Sequence, residues 1–423
     1  MKKLSFRVFA LCLSLILAII SVPLATAAAA SIKVTVNGQS LGTDVDPVVV
    51  NGVTLVPYSS LVTKIGGTLS LDNKTKKLTV KRNGTTVQLT IGSSQAVVNG
   101  KTVDIGAKVI TKNGRTLVPF RFLGTAFGLW VNWDAASKTA SIETKRTITH
   151  AMGQTTLTSV PKRVVVLVNG VVDISLTLGV KPVGAVESWV QQPWYDYLSA
   201  DMVGVTNLGS ELQPNLEAIV ALKPDLIIGA KTRHEKIYDQ LSKIAPTIYV
   251  SQLFEWKDNL QLAAKALNKE SVANDFMNKW NKQVADIKSK LGSKANSEVS
   301  IVRFYDDGTA RIYITGFAGS ILDEVGLNRP KSQRDTNKTF IDLDSQEQIP
   351  LMNGDIIFDI TSSNHGGDEF KTQAEWKKNP LWNNLTAVKK DKYYQVNDVT
   401  WNLSGGATAA KMMLDDLYFY LDL

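Results

Sequence analysis

Residues 163–186 read RVVVLVNGVVDISLTLGVKPVGAV. The apolar run from Val164 to Val168 is unbroken, with none of the alternation of a strand that has one wet face. A parallel strand buried on both sides requires such a run. Asn169-Gly170 turns the chain. Residues 171–178 then read as a helix closed by Gly179, and 181–186 return as a second strand. The pattern recurs downstream, with helix 216–222 before strand 224–229 and helix 233–244 before strand 246–250. Strand and helix in alternation predict a parallel α/β sheet.

Toward the C-terminus, Val272, Phe276, Trp280, Val284, Ile287 and Leu291 recur at spacings of four and three, a helical stripe. At 1.5 Å per residue, residues 271–291 span roughly 30 Å, enough to bridge two lobes. A second alternating region follows. Strands 299–305 and 310–314 flank the hairpin signal Asp306-Asp-Gly. Residues 320–325 read as a helix, 355–360 and 392–396 as buried strands, and 407–421 as a C-terminal amphipathic helix. The fold class expected is an α/β two-lobed substrate-binding fold bridged by one long helix. Residues 146–423 form this domain, with lobe one about 160–265, the bridging helix about 271–291 and lobe two about 296–423. Ligands in such sheets bind at the carboxyl ends of the strands, here the cleft between the lobes.

Upstream of this region the chain is an internal duplication. Asn51-Gly-Val-Thr-Leu-Val-Pro-Tyr returns as Asn113-Gly-Arg-Thr-Leu-Val-Pro-Phe, an offset of 62. The same offset carries Val36-Asn-Gly to Val98-Asn-Gly, Gly66 to Gly128 and Asp72 to Asp134. Each copy reads as short strands around Asn-Gly turns plus one short helix, 59–65 and 121–127. Residues 31–145 are therefore expected to form a small α+β, mostly-β duplicated module.

Composition narrows the function. The 423 residues carry 47 Lys+Arg against 39 Asp+Glu, a net charge of +8, and a single Cys. One Cys excludes a disulfide framework and a thiolate-held zinc or iron–sulfur centre. A basic balance points to polyanions, but it is unevenly placed. Residues 31–145 hold 14 basic and 6 acidic side chains, whereas 146–423 hold 30 basic and 33 acidic. The basicity belongs to the module, whose available partners are anionic wall polymers or lipid headgroups rather than nucleic acid. The start of the chain, with Lys2, Lys3 and Arg7 before an apolar run and Ala25-Thr-Ala27, predicts a secretory signal over residues 1–30. Cys12 sits inside that run rather than after it. The expected protein is thus extracytoplasmic, at the cell surface or wall, and not a lipoprotein.

The module over 32–143 resembles the copper amine oxidase N-terminal-like domain. Residues 31–145 contain no His and no Cys, so neither copper nor catalysis is expected there. Farther on, Ile148-Thr-His-Ala-Met-Gly, Pro161-Lys-Arg-Val-Val-Val-Leu, Leu178-Gly-Val-Lys-Pro-Val-Gly-Ala-Val, Pro214-Asn-Leu-Glu-Ala-Ile and Leu222-Lys-Pro-Asp-Leu-Ile-Ile-Gly resemble the ferric-siderophore-binding proteins of ABC importers. So do Ile244-Ala-Pro-Thr, Gly326-Leu-Asn-Arg-Pro and Trp401-Asn-Leu-Ser-Gly-Gly. The resemblance implies a binding protein and not an enzyme. It implies a rigid-helix substrate-binding protein whose lobes move little, a ferric siderophore as cargo, and an ABC permease as partner. No cofactor is held directly, because the chelator already encloses the iron.

Such a ligand calls for cations and flat aromatic walls rather than metal-ligating side chains. The segment after the third strand offers Lys231, Arg233 and His234, and Arg233-His234 matches the family's Arg-His at that place. The other lobe offers Arg303 and Tyr305 on one strand, with Phe317 and Arg329 after neighbouring elements. Trp401 and Trp189 are candidate aromatic walls. By the same resemblance Glu217 is the first-lobe permease contact, with Glu324 or Asp323 its second-lobe counterpart. The chelate is expected to be of hydroxamate or carboxylate type. Haem or cobalamin in the same fold, and a wall-held surface protein without transport, are the alternatives. A bare-metal site is disfavoured because the three histidines, His150, His234 and His365, are far apart. No nucleophile-elbow or phosphate-loop motif is present.

Overall fold

The computed structural model describes residues 32–335, 337–363 and 368–423. The predicted signal and Cys12, like His365, lie outside the described residues. Lobe one is a five-stranded parallel sheet. Its spatial order is Thr206–Asn207, Gly184–Ala185, Val164–Val166, Leu226–Ala230 and Thr247–Val250. Every residue of the Val164–Val166 and Leu226–Ala230 strands is buried. The unbroken apolar runs follow from helices covering both faces. Lobe two is a mixed sheet, ordered Phe340–Leu343, Ala310–Tyr313, Val299–Phe304, Ile356–Asp359 and Tyr393–Gln395. Its first two neighbouring pairs are antiparallel and the rest parallel.

The helix Glu270–Leu291 joins the lobes, and its stripe residues Trp280, Val284, Ile287 and Leu291 are buried. A second tie crosses between the lobes. The C-terminal helix Ala407–Tyr420 begins against the first-lobe helix Asn169–Thr177. The Asp173 carboxylate accepts from the backbone N–H groups of Thr408 (2.8 Å) and Ala409 (3.0 Å), so it caps a helix more than two hundred residues away. Tyr197 donates to the same carboxylate at 2.6 Å, and Tyr195 donates to the Leu403 carbonyl at 3.2 Å. A side chain at Gly170 would stand 2.7 Å from the Gly405 carbonyl oxygen, so the two backbones touch where the lobes meet.

The duplicated module closes on itself about a local two-fold axis. The equivalent strands Val53–Pro57 and Arg115–Pro119 pair antiparallel, with Val56 opposite Val118, its counterpart 62 residues on. The two short helices, Tyr58–Lys64 and Phe120–Ala126, keep the same offset. Asn37, Asn51, Asn83, Asn99 and Asn113 all have positive φ, as do the glycines that follow them. These are the tight hairpin turns that Asn-Gly favours. The opening strand Lys33–Val36 completes the sheet of the second copy by pairing parallel with Thr139–Ile142.

The module is clamped to lobe one. Trp130 is buried in the same apolar cluster as Ile148 and Leu157. Arg146 lies over the Trp130 ring at 5.4 Å and reaches Glu143, Glu270 and the Lys265 carbonyl. The Gly128 carbonyl accepts from Val160 N–H at 2.8 Å. Val160 leads into the amino end of the Val164–Val166 strand. The module therefore docks at the end of that strand opposite the cleft.

Candidate functional site

The cleft opens at the carboxyl ends of the strands and encloses about 370 Å³. Its first-lobe wall is built around Glu211. That buried carboxylate accepts from the Asn169 backbone N–H (3.0 Å), Asn169 Nδ2 (2.9 Å) and Arg233 Nε (3.2 Å). Arg233 also lies over the Trp189 ring at 5.9 Å. With Nε committed to Glu211, the two terminal nitrogens of Arg233 are left for a ligand. His234 supports this arrangement from behind. Its Nδ1 accepts from Ala230 N–H at 3.1 Å and its Nε2 donates to the Glu211 carbonyl at 2.7 Å. Both contacts fix the neutral Nε2–H tautomer, and burial pushes its pKa down. Gly229 lets the Tyr249 ring pack beneath, since a side chain there would stand 2.6 Å from it.

The second-lobe wall is a row of charges across three strands. Arg303 stands opposite Arg311 in the ladder, and Arg311 opposite Asp342. Arg303 is buried and paired with buried Asp398 at 3.2 Å, whose carboxylate also accepts from Ser362 (2.7 Å) and Asn402 (3.0 Å). Burial works against the Arg303 charge, but Asp398 and the neighbouring tyrosines outweigh it and raise its pKa. Arg311 Nε donates to Asp342 at 2.7 Å, and its guanidinium lies 3.7 Å above the Phe340 ring. Both guanidiniums lie over Tyr305, whose hydroxyl meets that of Tyr313 at 2.9 Å. Phe254, Tyr313 and Phe340 complete the aromatic lining.

Of the residues expected from sequence, Arg233, Arg303 and Trp189 line this cleft together. Others sit elsewhere. Trp401 is fully buried, stacks on Phe358 at 4.6 Å and donates to Asp416, so it is a core residue and not a ligand wall. Phe317 and His234 are likewise buried and do not line the cleft. Tyr305 lies beneath the two arginines as their support. Arg329 is buried under lobe two, where it donates to the Tyr313 carbonyl, and burial pushes its pKa down to about 10. Lys231 is exposed beyond the cleft, 3.8 Å from Glu235. Glu217 is exposed in the first turn of the helix Leu216–Ala221. Glu324 is engaged by Lys257 (2.5 Å) and Trp280 Nε1 (2.9 Å), which leaves exposed Asp323 as the freer carboxylate.

Sequence reading missed Arg311, Glu211, Phe254 and Tyr313. A signal existed for two of them. Centring the predicted hairpin on Asp307 places Arg311 across from Arg303 and puts Tyr313 on the same face. Glu211 and Phe254 sit in loops with no periodicity to mark them.

A two-lobed α/β protein with one bridging helix and a cationic, aromatic cleft between the lobes is a substrate-binding protein. The chain belongs to the periplasmic binding protein family, which it matches over residues 164–400, and residues 35–142 match the copper amine oxidase N-terminal domain. It is 47% identical over 284 residues to YfiY of Bacillus subtilis, named as a probable siderophore-binding lipoprotein, covering 65% of this chain and 87% of that one. An achromobactin-binding periplasmic protein of Dickeya dadantii is 35% identical over 262 residues, covering 61% of this chain and 85% of that one. Among solved structures, Staphylococcus aureus SirA complexed with staphyloferrin B shares 43% identity at a TM-score of 0.62, covering 66% of this chain and 98% of that one. The expectation that this protein is not a lipoprotein gains no support from such relatives, since YfiY is named as one.

Proposed function

We propose that this protein captures an anionic ferric siderophore outside the cytoplasm and delivers it to an ABC permease. The observation that carries the reading is the convergence of Arg233, Arg303 and Arg311 on one aromatic cleft. A chelate that holds iron through hydroxycarboxylates keeps net negative charge and free carboxylate oxygens, which guanidinium forks bind bidentately. Three hydroxamates, by contrast, already neutralise the ferric charge and give three arginines little to pair with. The carboxylate class is therefore favoured over the hydroxamate class. Glu217, with Asp323 on the other lobe, presents carboxylates to a cationic permease surface. Residues 31–145 serve as an attachment module for anionic wall polymers, in keeping with their charge.

The test is titration of tryptophan fluorescence with ferric citrate, a ferric trishydroxamate, haem and cobalamin. Trp189, stacked on Arg233 in the cleft, supplies a reporter. Tightest binding by the carboxylate chelate is expected, weakened about tenfold or more by Arg233→Ala, the loss of a charged hydrogen-bonding partner. No response to any chelate rejects transport.

A further inference from the structure

The repeat module carries a groove that siderophore capture does not use. It holds about 510 Å³, with Thr54, Phe120, Arg121, Val131, Asn132 and Trp133 in its lining. Side chains alternate along a strand, so Trp130 and Trp133 lie on opposite faces of Trp130–Asp134. Trp130 is buried against lobe one, whereas Trp133 is 40% exposed on the far face. Arg121 is exposed and makes no ion pair among the described residues. The repeat itself does not demand this pairing of aromatic and cation. At the positions 62 earlier, the first copy has Ser59, Ser70 and Leu71 in place of Arg121, Asn132 and Trp133.

We infer that this groove binds an anionic glycan of the cell wall. The apolar face of a sugar ring stacks on the Trp133 indole. Arg121 pairs with the phosphate or carboxylate the sugar carries. Thr54 supplies a donor and an acceptor for a sugar hydroxyl. The module's 14 basic against 6 acidic residues draw the polymer in from a distance. Because the module docks opposite the cleft and Trp133 faces away from that dock, a bound glycan leaves the cleft and Glu217 accessible. The inference rests on reading residues 31–145 as an attachment module.

The experiment co-sediments the full chain, at low salt, with isolated Bacillus subtilis walls that retain their anionic polymers and with the same walls stripped of them. Retention on the intact walls, at least tenfold weaker on stripped walls and on intact walls for Trp133→Ala and Arg121→Gln, is the expected result. Trp133→Phe is expected to restore most of it. If intact walls hold the wild type and both variants equally, or stripped walls hold the wild type as well as intact ones, the groove proposal falls while attachment stands. If neither wall preparation holds the wild type, attachment and groove fall together.

Discussion

Arg303 and Arg311 stand directly across from each other in neighbouring antiparallel strands of lobe two. Like charges so placed destabilise a sheet. The structure offsets this with Asp398 on one side and Asp342 on the other, and with the Tyr305 ring beneath both. Such an arrangement stores affinity for an anion at the expense of the empty protein. Arg311→Gln is expected to leave the thermal midpoint unchanged or slightly raised while weakening ferric chelate binding roughly tenfold to a hundredfold. Arg303→Ala differs, because it strands buried Asp398. A stability loss of about 3–5 kcal/mol is expected, read by denaturant unfolding. Equal stability losses in the two variants would contradict this division.

The Asp173 cap makes a second division testable. Its carboxylate is buried and accepts from two backbone N–H groups, Tyr197 and Thr177. Asp173→Ala removes the cap and leaves those donors unpaired at the lobe junction. A loss of roughly 2–4 kcal/mol is expected. Because no Asp173 atom lines the cleft, ligand affinity should change less than twofold to threefold at temperatures where the variant stays folded. A large affinity loss with full stability would mean that the lobe tie shapes the cleft.

These two sites show what the sequence made legible. Lobe one could be read because a strand buried on both faces is an unbroken apolar run, and the bridging helix because its stripe keeps one period. The duplication was visible because one offset fits every match. The strands Thr206–Asn207 and Phe340–Leu343 were missed, being a two-residue edge and a partly exposed edge. Arg233 and Arg303 were found because one follows a predicted strand and the other lies on one. Trp401 was misplaced because a Trp beside Ser-Gly-Gly looks the same whether it faces a ligand or Phe358. Glu211 and Asp398, which hold the arginines, lie far from them in sequence, and only the fold brings the pairs together.

Glu217 separates capture from delivery. It is exposed and does not line the cleft. Glu217→Ala is expected to bind ferric chelate with unchanged affinity but to lose most permease-dependent iron uptake by cells. Asp323→Ala should resemble it. Glu324→Ala should act mainly through stability, since its carboxylate pairs with Lys257 and Trp280. Undiminished uptake in the double variant Glu217→Ala, Asp323→Ala would remove these carboxylates from docking.

Two histidines give the protein a pH dependence with a definite sign. His150 Nδ1 accepts from the Met152 and Tyr249 backbone N–H groups at 3.3 and 3.2 Å, and His234 Nδ1 accepts from Ala230 N–H. A proton on either Nδ1 would face a donor. Burial also opposes the charge and pushes both pKa values below the ordinary value. The unfolded chain, with imidazoles titrating near 6.5, therefore binds protons that the folded chain refuses. Their stabilising contribution is full above about pH 6.5 and is lost as pH falls from there through the depressed folded values. The histidine contribution to unfolding free energy should decline from pH 7.5 to 5, against the opposite sign of buried Asp173 and Asp398, whose pKa values burial raises. Toward pH 5 the combined variant His150→Gln, His234→Gln should therefore lose less stability than wild type, or gain more, although its stability at pH 7.5 is lower. An equal slope in wild type and variant would assign the acid sensitivity to other groups.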